Sequence, residues 1–422
     1  MTEDLSSLFD PHCGRDTLDR LARHVPEDWV EEALEATGVA TIRRRRIPAE
    51  RVVWLVVGMA LFRDLPIEEV LKRLQVALPA KNGKPPAKSG VTQARQRVGP
   101  DAIRYLFERT AKRWAERSAD RHRWRGLSLW AVDGTSLRVP DSEENRAHFG
   151  GRSNQRSDSG YPIARVVTLM AVRSHLLGAA RIAPYSTSEL ALAADLWAEI
   201  PDDSLTIVDR GFLYAEVLMP LAANGNRHWL TRARKNTSYK VVKKLGPGDE
   251  IVELKVTWQA RQNQRDLAET WLARAIRYKR RGYPPQTLLT SMLDPALHPR
   301  AEVVSLYHDR WEIELGYDEV KSHMLDRMET LRSQRVTGVE QEIWGLLLAY
   351  NLVRLEMEGA AAELGVAPSR MSFVAGLRFV RQTLEMAAHV SPGNLPKFLA
   401  RERLDLCRFI LPPRRTGRLY AR

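Results

Sequence analysis

The stretch at residues 127–135 reads LSLWAVDGT and marks a change in the hydrophobic pattern of the chain. Upstream, to about residue 125, the apolar residues follow a helical period. Within the stretch they alternate with a period of two, which predicts a β-strand. The strand ends on the carboxylate of Asp133, and Gly134 and Thr135 predict a turn directly after it. An α/β domain is therefore expected to begin here.

Further strands and helices follow with the spacing of a mixed sheet. The predicted strands are residues 163–172, 176–183, 205–209 and 227–231, and the predicted helices between them are residues 189–199 and 214–223. The order is thus β-β-β-α-β-α-β, which indicates a mixed α/β sheet. Asp133 ends the first strand and Asp209 ends the fourth, and ligand sites gather at such strand ends.

Changes of pattern divide the chain into five segments. They are a helical amino-terminal domain at residues 1–125, a first part of the α/β core at 126–232, a basic strand-rich insertion at 233–299, a second part of the core at 300–335 and a carboxy-terminal helical region at 336–422. In the first segment a short helix carries Arg95 and Arg97, side chains suited to phosphates and base edges. This helix is a candidate DNA-recognition element, although arginine-rich surface helices are also common without that role.

The charge of the chain narrows the choice of partners. Its 422 residues include 65 Lys and Arg against 52 Asp and Glu, a formal net charge of +13. Such a balance favours a polyanionic partner, either nucleic acid or an acidic membrane surface. The longest apolar run, residues 52–62, is too short to span a bilayer, and the acidic start lacks the pattern of a signal peptide. Cys13 and Cys407 have no spacing for zinc or for a disulfide framework. These features predict a cytosolic protein that contacts nucleic acid.

Residues 307–321 read YHDRWEIELGYDEVK and predict one helix. One narrow face of that helix presents, at helical pitch, Tyr307, Arg310, Glu314 and Lys321. Glu312 and Glu319 point away from this face. The carboxylate of Glu314 can hold a divalent metal, and the two cations can clamp phosphates. Two alternatives stay open: a solvated face with an Arg–Glu pair four residues apart, and Asp318 as the ligand in place of Glu314.

Three separated acids, Asp133, Asp209 and Glu314, make up the candidate catalytic centre. Magnesium takes hard oxygen ligands and keeps waters and phosphate oxygens in its shell, so a few carboxylates suffice. Two such ions can activate the attacking oxygen and stabilise the leaving one in an in-line displacement. Without a cation the clustered carboxylates would repel one another. The sequence thus predicts a site for two Mg²⁺ ions, for which Mn²⁺ is the expected substitute.

These motifs resemble the DDE transposases of bacterial insertion sequences. The residues that carry the resemblance are Asp133-Gly-Thr, Asp209-Arg-Gly-Phe and the spacing Tyr307-x2-Arg310-x3-Glu314-x6-Lys321. More narrowly, the last motif resembles the tyrosine–arginine–glutamate–lysine signature of the insertion-sequence-four group. Residues 9–109 also resemble the amino-terminal domain of that group.

The resemblance implies both a fold and an activity. The implied fold is α/β, with an RNase H-like catalytic core interrupted by a β-strand-rich insertion, preceded by a helical DNA-binding domain and followed by carboxy-terminal helices. The implied activity is metal-dependent cleavage of double-stranded DNA at element ends and joining of the 3′-hydroxyl ends to target DNA. A homodimer bound to two ends would carry it out in the bacterial cytoplasm, at the nucleoid.

The resemblance also assigns roles residue by residue. Asp133, Asp209 and Glu314 are expected to be the catalytic metal ligands. The residues expected to bind DNA phosphates are Tyr307, Arg310, Lys321, Arg210, Arg95 and Arg97. In some relatives a tryptophan of the insertion stacks on a flipped base. Trp258 and Trp271 are the candidates here, although a tryptophan in a strand is more often part of a core.

Other functions stay compatible with the same residues. A stand-alone RNase H-like nuclease would cut DNA without joining it. A non-catalytic DNA-binding protein derived from a transposase would have no need to keep the three acids and the helix face together. A protein of acidic membranes has only the net charge in its favour.

Overall fold

The computed structural model describes residues 24–40, 46–74, 86–151, 160–280, 282–326, 330–387, 390 and 394–412. Cys13 lies outside the described residues. None of the helices in these ranges is both long and apolar enough to cross a membrane.

The amino-terminal part is helical, as predicted. Its helices are α1 (Glu27–Ala36), α2 (Ala49–Leu61), α3 (Ile67–Arg73), α4 (Lys88–Val98) and α5 (Asp101–Arg121). Helix α2 begins directly after Pro48, because proline has no backbone N–H to donate and is tolerated only at the start of a helix. Nearly every residue of α2 is buried. A helix that is apolar on all sides belongs in the interior of a protein. Helix α2 is therefore the buried centre of the amino-terminal part, and the other amino-terminal helices pack around it.

One sheet runs through the middle of the chain. Its strands are β1 (Ser128–Arg138), β2 (Ile163–Ala171), β3 (Leu177–Pro184), β4 (Ser204–Val208), β5 (Arg227–Arg232), β6 (Lys240–Gly246), β7 (Asp249–Lys255), β8 (Thr270–Tyr278) and β9 (Gln286–Thr290). Within the described residues these nine strands form a single sheet in the order β3-β2-β1-β4-β5-β9-β8-β7-β6. Strands β1 to β3 pair antiparallel, whereas β4 and β5 run parallel to β1.

This topology confirms the predicted mixed α/β fold with an RNase H-like core. The strand-rich insertion does not fold as a separate sheet. Its last strand, β9, pairs antiparallel with β5, so that the insertion continues the central sheet outwards to the exposed edge strand β6. The carboxyl end of β5 is thereby fixed between the parallel strands and the insertion.

The remaining helices cover the sheet and close the chain. They are α6 (Glu143–Phe149), α7 (Glu189–Leu192), α8 (Ala215–Leu221), α9 (Trp258–Asn263), α10 (Arg300–His308), α11 (Trp311–Asp318), α12 (Val336–Glu363), α13 (Phe373–Ala387) and α14 (Leu395–Leu406). Helix α12 packs against α2 so closely that a Cβ on Gly345 would lie 2.4 Å from Val56. The amino-terminal and carboxy-terminal helices thus share one core with the sheet.

Two local predictions were wrong. Strand β1 does not turn after Asp133, because Gly134 and Thr135 pair with Val167 and Val166 of β2. Asp133 instead lies where the parallel pairing of β1 with β4 stops. The predicted single helix at residues 307–321 is also interrupted. It consists of α10, a tight turn with i→i+3 hydrogen bonds at residues 309–310, α11 and a π-helical turn over Glu319–Met324.

Candidate active site

The sheet brings the two aspartates to the same edge. Val132 of β1 pairs in parallel register with Val208 of β4, and Asp133 and Asp209 are the next residues of the two strands. Adjacent strands lie about 4.8 Å apart, so the two carboxylates leave the sheet from neighbouring positions. The sequence prediction that these acids meet at one strand end is consistent with this register.

Both aspartates are held by backbone groups close to them. The Oδ1 atom of Asp133 accepts a hydrogen bond from the Gly134 N–H at 2.8 Å. The Asp133 carbonyl accepts a hydrogen bond from the Tyr317 hydroxyl at 2.5 Å, which ties this part of β1 to helix α11. Asp209 caps the short 3₁₀ turn that follows β4, because its Oδ2 atom accepts from the Gly211 N–H at 3.5 Å.

Helix α11 presents the third acid to this edge. The Nη2 atom of Arg310 lies 2.6 Å from Oε1 of Glu314, and the Nη1 atom of Arg310 lies 3.8 Å from Oδ2 of Asp133. The guanidinium of Arg310 is therefore placed between two of the three acids. Gly316 allows α11 to approach the sheet, since a Cβ there would lie 2.5 Å from Met170 of β2.

The electrostatics of the site are those of crowded acids around a mostly buried cation. Burial raises the pKa of Asp133 to about 6, the Glu189 and Asp209 carboxylates act in the same direction, and the Gly134 N–H and Arg310 oppose it. Burial lowers the pKa of Arg310, but Glu314, Tyr307 and Asp209 together raise it above its usual value, so the guanidinium stays charged. The site is short of positive charge, as a site that receives metal ions would be.

Tyr307 lies beside the same guanidinium and is buried. Burial raises the pKa of its hydroxyl, an effect that Arg310 and Arg232 oppose and that Asp209 reinforces. The hydroxyl therefore keeps its proton at neutral pH and can donate a hydrogen bond, for example to a phosphate oxygen.

The donor set suits a hard divalent cation. The guanidinium of Arg310 lies against Glu314 and Asp133, and Asp209 follows the strand beside Asp133. Carboxylate oxygens are the ligands that Mg²⁺ and Mn²⁺ prefer. Among the described residues, however, no group of three or more His, Cys, Asp or Glu side chains is already close enough to hold one ion. In this arrangement the guanidinium of Arg310 occupies the place between the Glu314 and Asp133 carboxylates.

The other predicted DNA contacts lie in different surroundings. Lys321 and Arg210 are exposed, Lys321 on the π-helical turn that follows α11 and Arg210 directly after Asp209. Arg97 is half-buried and donates to the Ile47 carbonyl at 3.0 Å. The predicted DNA contacts of these three residues stay predictions.

Arg95 does not have the position that the sequence suggested. Its side chain is only 12% exposed. It donates to Gln341 at 2.9 Å and to Ser333 at 3.1 Å, and its guanidinium lies 3.5 Å from the Glu342 carboxylate. These contacts argue against a DNA contact, because the guanidinium already serves to join α4 to the start of α12.

The two candidate tryptophans differ sharply in exposure. Trp258 starts helix α9, instead of ending a strand as predicted, and it is 70% exposed. Trp271 lies on β8 with its ring 5.2 Å from that of Trp229, which is fully buried. Trp271 is thus part of the packing between β8 and β5, and Trp258 is the tryptophan whose ring is open to a partner.

Several residues of the site were not found from the sequence. The Glu189 side chain lies against Gly134, where an added Cβ would lie 2.5 Å from Cδ of Glu189, and this fourth carboxylate helps to raise the pKa of Asp133. Arg234 donates to the carbonyls of Arg210 and Gly211 at 3.0 and 3.1 Å and so fixes the loop behind Asp209. A signal for Arg234 existed, because it follows β5, whose carboxyl end lies at the same edge as that of β4.

The sheet order defines an RNase H-like core, with Asp133 and Asp209 at the ends of its parallel strands and Glu314 on a later helix. Comparison with protein families is more specific. Residues 15–108 match the insertion element 4 transposase N-terminal family, and residues 124–352 match the transposase DDE domain family. The chain belongs to the DDE transposases of the insertion-sequence-four group.

Individual relatives agree with this family. The chain is 38% identical over 421 residues to transposase InsG for insertion sequence element IS4 of Escherichia coli strain K12. The alignment covers 99% of this chain and 94% of the relative. It is 39% identical over 227 residues to InsZ of the same strain, covering 52% of this chain and 73% of the relative.

A solved structure, the cryo-EM structure of the piggyBac transposase synaptic complex with hairpin DNA, aligns with 99% of this chain and 88% of its own at 12% identity and a TM-score of 0.43. That similarity is too low to support a further inference.

Membership of the family fixes the general activity. The chain is a transposase that cleaves DNA and depends on a divalent metal ion. The prediction that the substrate is DNA is thereby confirmed.

Proposed function

We propose that this transposase works by cut-and-paste transposition, with Asp133, Asp209 and Glu314 as the ligands of two Mg²⁺ ions in each active site. The observation that carries the proposal is the placement of Arg310, which contacts Glu314 at 2.6 Å and lies 3.8 Å from Asp133, on the strand beside Asp209. Two acids that share one cation, with a third at the end of the neighbouring strand, form a centre whose negative charge bound metal ions can neutralise. Mn²⁺ would substitute for Mg²⁺.

When bound at the three acids, the metal ions would neutralise charge on the attacking and leaving oxygens of the phosphodiester. The residues of the chain then orient the DNA. Arg310 can turn its planar fork from Glu314 to a phosphate, and Lys321 and Arg210 offer further positive charge near the acids. The protonated Tyr307 hydroxyl can donate to a non-bridging phosphate oxygen.

Two reactions follow one another at the same acids. Hydrolysis of the phosphodiester at an element end adds water across the P–O3′ bond and leaves a 3′-hydroxyl and a 5′-phosphate. The 3′-hydroxyl then attacks a phosphodiester of target DNA, so that a new P–O3′ bond forms and the target strand releases its own 3′-hydroxyl. No step requires a covalent bond between protein and DNA.

The remaining parts of the chain would support this chemistry. The five-segment division proposed from the sequence gives the amino-terminal helices the role of binding element ends. The carboxy-terminal helices would join two copies into a homodimer that holds both ends. The place of action would be the bacterial cytoplasm, at the nucleoid.

A joining assay tests the proposal against a stand-alone nuclease. The substrate is a duplex that carries the DNA flanking this chain's own reading frame, presented as a pre-cleaved end with either a 3′-hydroxyl or a 3′-deoxy terminus, together with a supercoiled plasmid and Mg²⁺. We expect plasmid joined to the 3′-hydroxyl end and none joined to the 3′-deoxy end. An uncut duplex of the same sequence is incubated in parallel, and its cleavage without any joining of the 3′-hydroxyl end would favour the nuclease. Tight binding with neither reaction would favour a non-catalytic DNA-binding protein.

A further inference from the structure

The side of helix α11 that faces away from the acids is packed against buried charged groups. Glu312 is 6% exposed, and its Oε2 atom lies 2.7 Å from Nε2 of His175, which is 2% exposed. Glu319 follows at the end of α11 and is bound by the guanidinium of Arg354 and, at 2.9 Å, by the hydroxyl of Tyr350. Burial of this many polar groups is costly unless each has a partner.

His175 reaches Glu312 from the turn between β2 and β3. Its φ is +62°, in the left-handed region that non-glycine residues seldom adopt. The neighbouring Arg173 extends from the same turn to Asp309, where its Nη2 atom lies 3.1 Å from Oδ2. The turn therefore touches both the break before α11 and the first turn of α11, and a strained residue kept at such a contact suggests a function.

Arg354 connects this turn to helix α12. Its Nη2 atom lies 2.5 Å from Nδ1 of His175 and also donates to Glu319. A guanidinium has donors and no acceptor, so Nδ1 of His175 must accept. Nε2 of His175 donates to the Glu312 carboxylate at 2.7 Å, and Nδ1 also lies 3.6 Å from Oε2 of Glu319. Each group in the chain Arg354–His175–Glu312 thus has a defined direction of hydrogen bonding.

We propose that Glu312, His175 and Arg354 are positioning residues that fix the rotation of α11 and so aim the Glu314 carboxylate at the metal site. Glu312 and Glu314 are two residues apart, about 200° around a helix, so a bond that fixes Glu312 on one side fixes the direction of Glu314 on the other. The inference rests on the proposed function, because it assumes that Glu314 binds metal. Partners behind a metal ligand typically contribute about 10- to 100-fold in metal affinity.

The test measures metal binding directly, through the loss of the free Mn²⁺ signal in electron paramagnetic resonance, on the full chain without DNA. The variants are Glu312→Ala and the conservative Glu312→Gln, whose side-chain oxygen can still accept from Nε2 of His175. Glu358→Ala is the matched control. Glu358 is an equally buried acid of α12, but it contacts Ser118 of α5 at 2.7 Å instead of the Glu314 helix.

We expect Glu312→Ala to weaken Mn²⁺ binding by about tenfold or more, and we expect Glu312→Gln to recover most of that loss. Glu358→Ala should lose stability to a similar degree while it binds Mn²⁺ like the unmodified chain. Cleavage of end DNA should fall in the same order as metal affinity. A merely structural role of Glu312 would lower thermal stability in both alanine variants without separating them in Mn²⁺ affinity.

Unchanged Mn²⁺ affinity in folded Glu312→Ala protein would overturn the inference. Should that variant fail to fold, His175→Gly gives the same test, because glycine accepts the positive φ and lacks the imidazole. Glu314→Gln is run beside them. If Glu314→Gln does not weaken Mn²⁺ binding, the metal site itself is wrong and both proposals fall. If only Glu314→Gln weakens it, the positioning role alone is wrong.

Discussion

The Nη2 atom of Arg310 lies 2.6 Å from Oε1 of Glu314, one turn further along the chain. The other terminal nitrogen of Arg310, Nη1, lies 3.8 Å from Oδ2 of Asp133. Without metal, the guanidinium therefore neutralises part of the charge that bound metal ions would neutralise. Metal binding and the Arg310–Glu314 pair should compete, because both need the same carboxylate oxygen.

This competition predicts that Arg310→Gln binds Mn²⁺ more tightly than the unmodified chain in the absence of DNA. Removal of a positive charge about 4 Å from the ligands is worth more than 1 kcal/mol in a partly screened site, which corresponds to about tenfold in affinity. Cleavage of DNA should nevertheless fall, because the phosphate clamp is lost. Calorimetric titration with Mn²⁺ measures the affinity.

Arg408→Gln is the control for net charge, since Arg408 follows α14, is 79% exposed and pairs with Asp405 at 3.1 Å. Its Mn²⁺ affinity should change by less than about twofold. Equal gains in the Arg408 and Arg310 variants would mean that overall charge, rather than the pair with Glu314, sets the metal affinity.

Asp133 gives a prediction for stability against pH. Its pKa rises from 3.8 to about 6 in the folded chain, mainly through burial. The folded protein thus holds the proton more tightly than the unfolded chain, so the free energy of unfolding decreases as the pH rises from about 4 to about 6. Asn cannot ionise, and Asp133→Asn should therefore gain up to ~3 kcal/mol relative to the parent above pH 6.

Urea unfolding of both proteins in EDTA, at about pH 4.5 and at about pH 7.5, measures this difference. The advantage of Asp133→Asn should be small at the lower pH and large at the higher one. A difference that does not depend on pH would show that the Asp133 carboxyl group is not destabilised in the folded state.

The loop behind Asp209 gives a third prediction. Arg234→Ala removes the two hydrogen bonds to the carbonyls of Arg210 and Gly211, and the loop can then shift the Asp209 carboxylate. Cleavage should drop about 10- to 100-fold, because catalysis is sensitive to displacements of about 1 Å. The loss of stability should stay near 1 kcal/mol. Single-turnover cleavage and thermal unfolding measure the two effects.

Arg227→Ala is a matched control for Arg234, since Arg227 begins β5 and donates to the Asn224 carbonyl at the opposite end of the strand. It should leave the cleavage rate within about twofold of the parent. If both variants lose cleavage equally, the effect comes from β5 as a whole and not from the Asp209 loop.

Lys321 gives a prediction for binding. If it contacts a DNA phosphate, Lys321→Ala should reduce the slope of log K against log salt by about 0.9, one released counterion. Filter binding of end DNA in Ca²⁺ between about 50 and 200 mM salt measures the slope. Lys397→Ala, an exposed residue of α14 outside the amino-terminal helices, serves as the control and should keep the parent slope. An unchanged slope for Lys321→Ala would remove Lys321 from the interface.

The sequence was most informative where chemistry depends on single residues at strand ends. Asp133 and Asp209 could be placed together because each follows a short apolar strand, and parallel strands of one sheet end at the same edge. The β-β-β-α-β-α-β order was recoverable because hydrophobic periodicity records which faces are buried.

Features that depend on contacts between residues far apart in the sequence could not be predicted from the local sequence pattern. The turn at Gly134 was predicted from glycine propensity, but Gly134 pairs with Val167 inside the sheet and has the Glu189 side chain of α7 against it. Arg95 looked like a surface arginine, yet its partners Ser333 and Gln341 are more than two hundred residues away in the sequence. The role of Glu312 also depends on His175, far upstream in the chain.

The most direct test of the account is metal-dependent cleavage of a duplex with the natural element end, with the unmodified chain beside Glu314→Gln. The account predicts that the unmodified chain cleaves in Mg²⁺ or Mn²⁺ and leaves a 3′-hydroxyl, and that Glu314→Gln binds the same DNA but cleaves at least about a thousandfold more slowly. Cleavage at the parental rate by Glu314→Gln would contradict the central claim that Glu314 completes the metal site with Asp133 and Asp209.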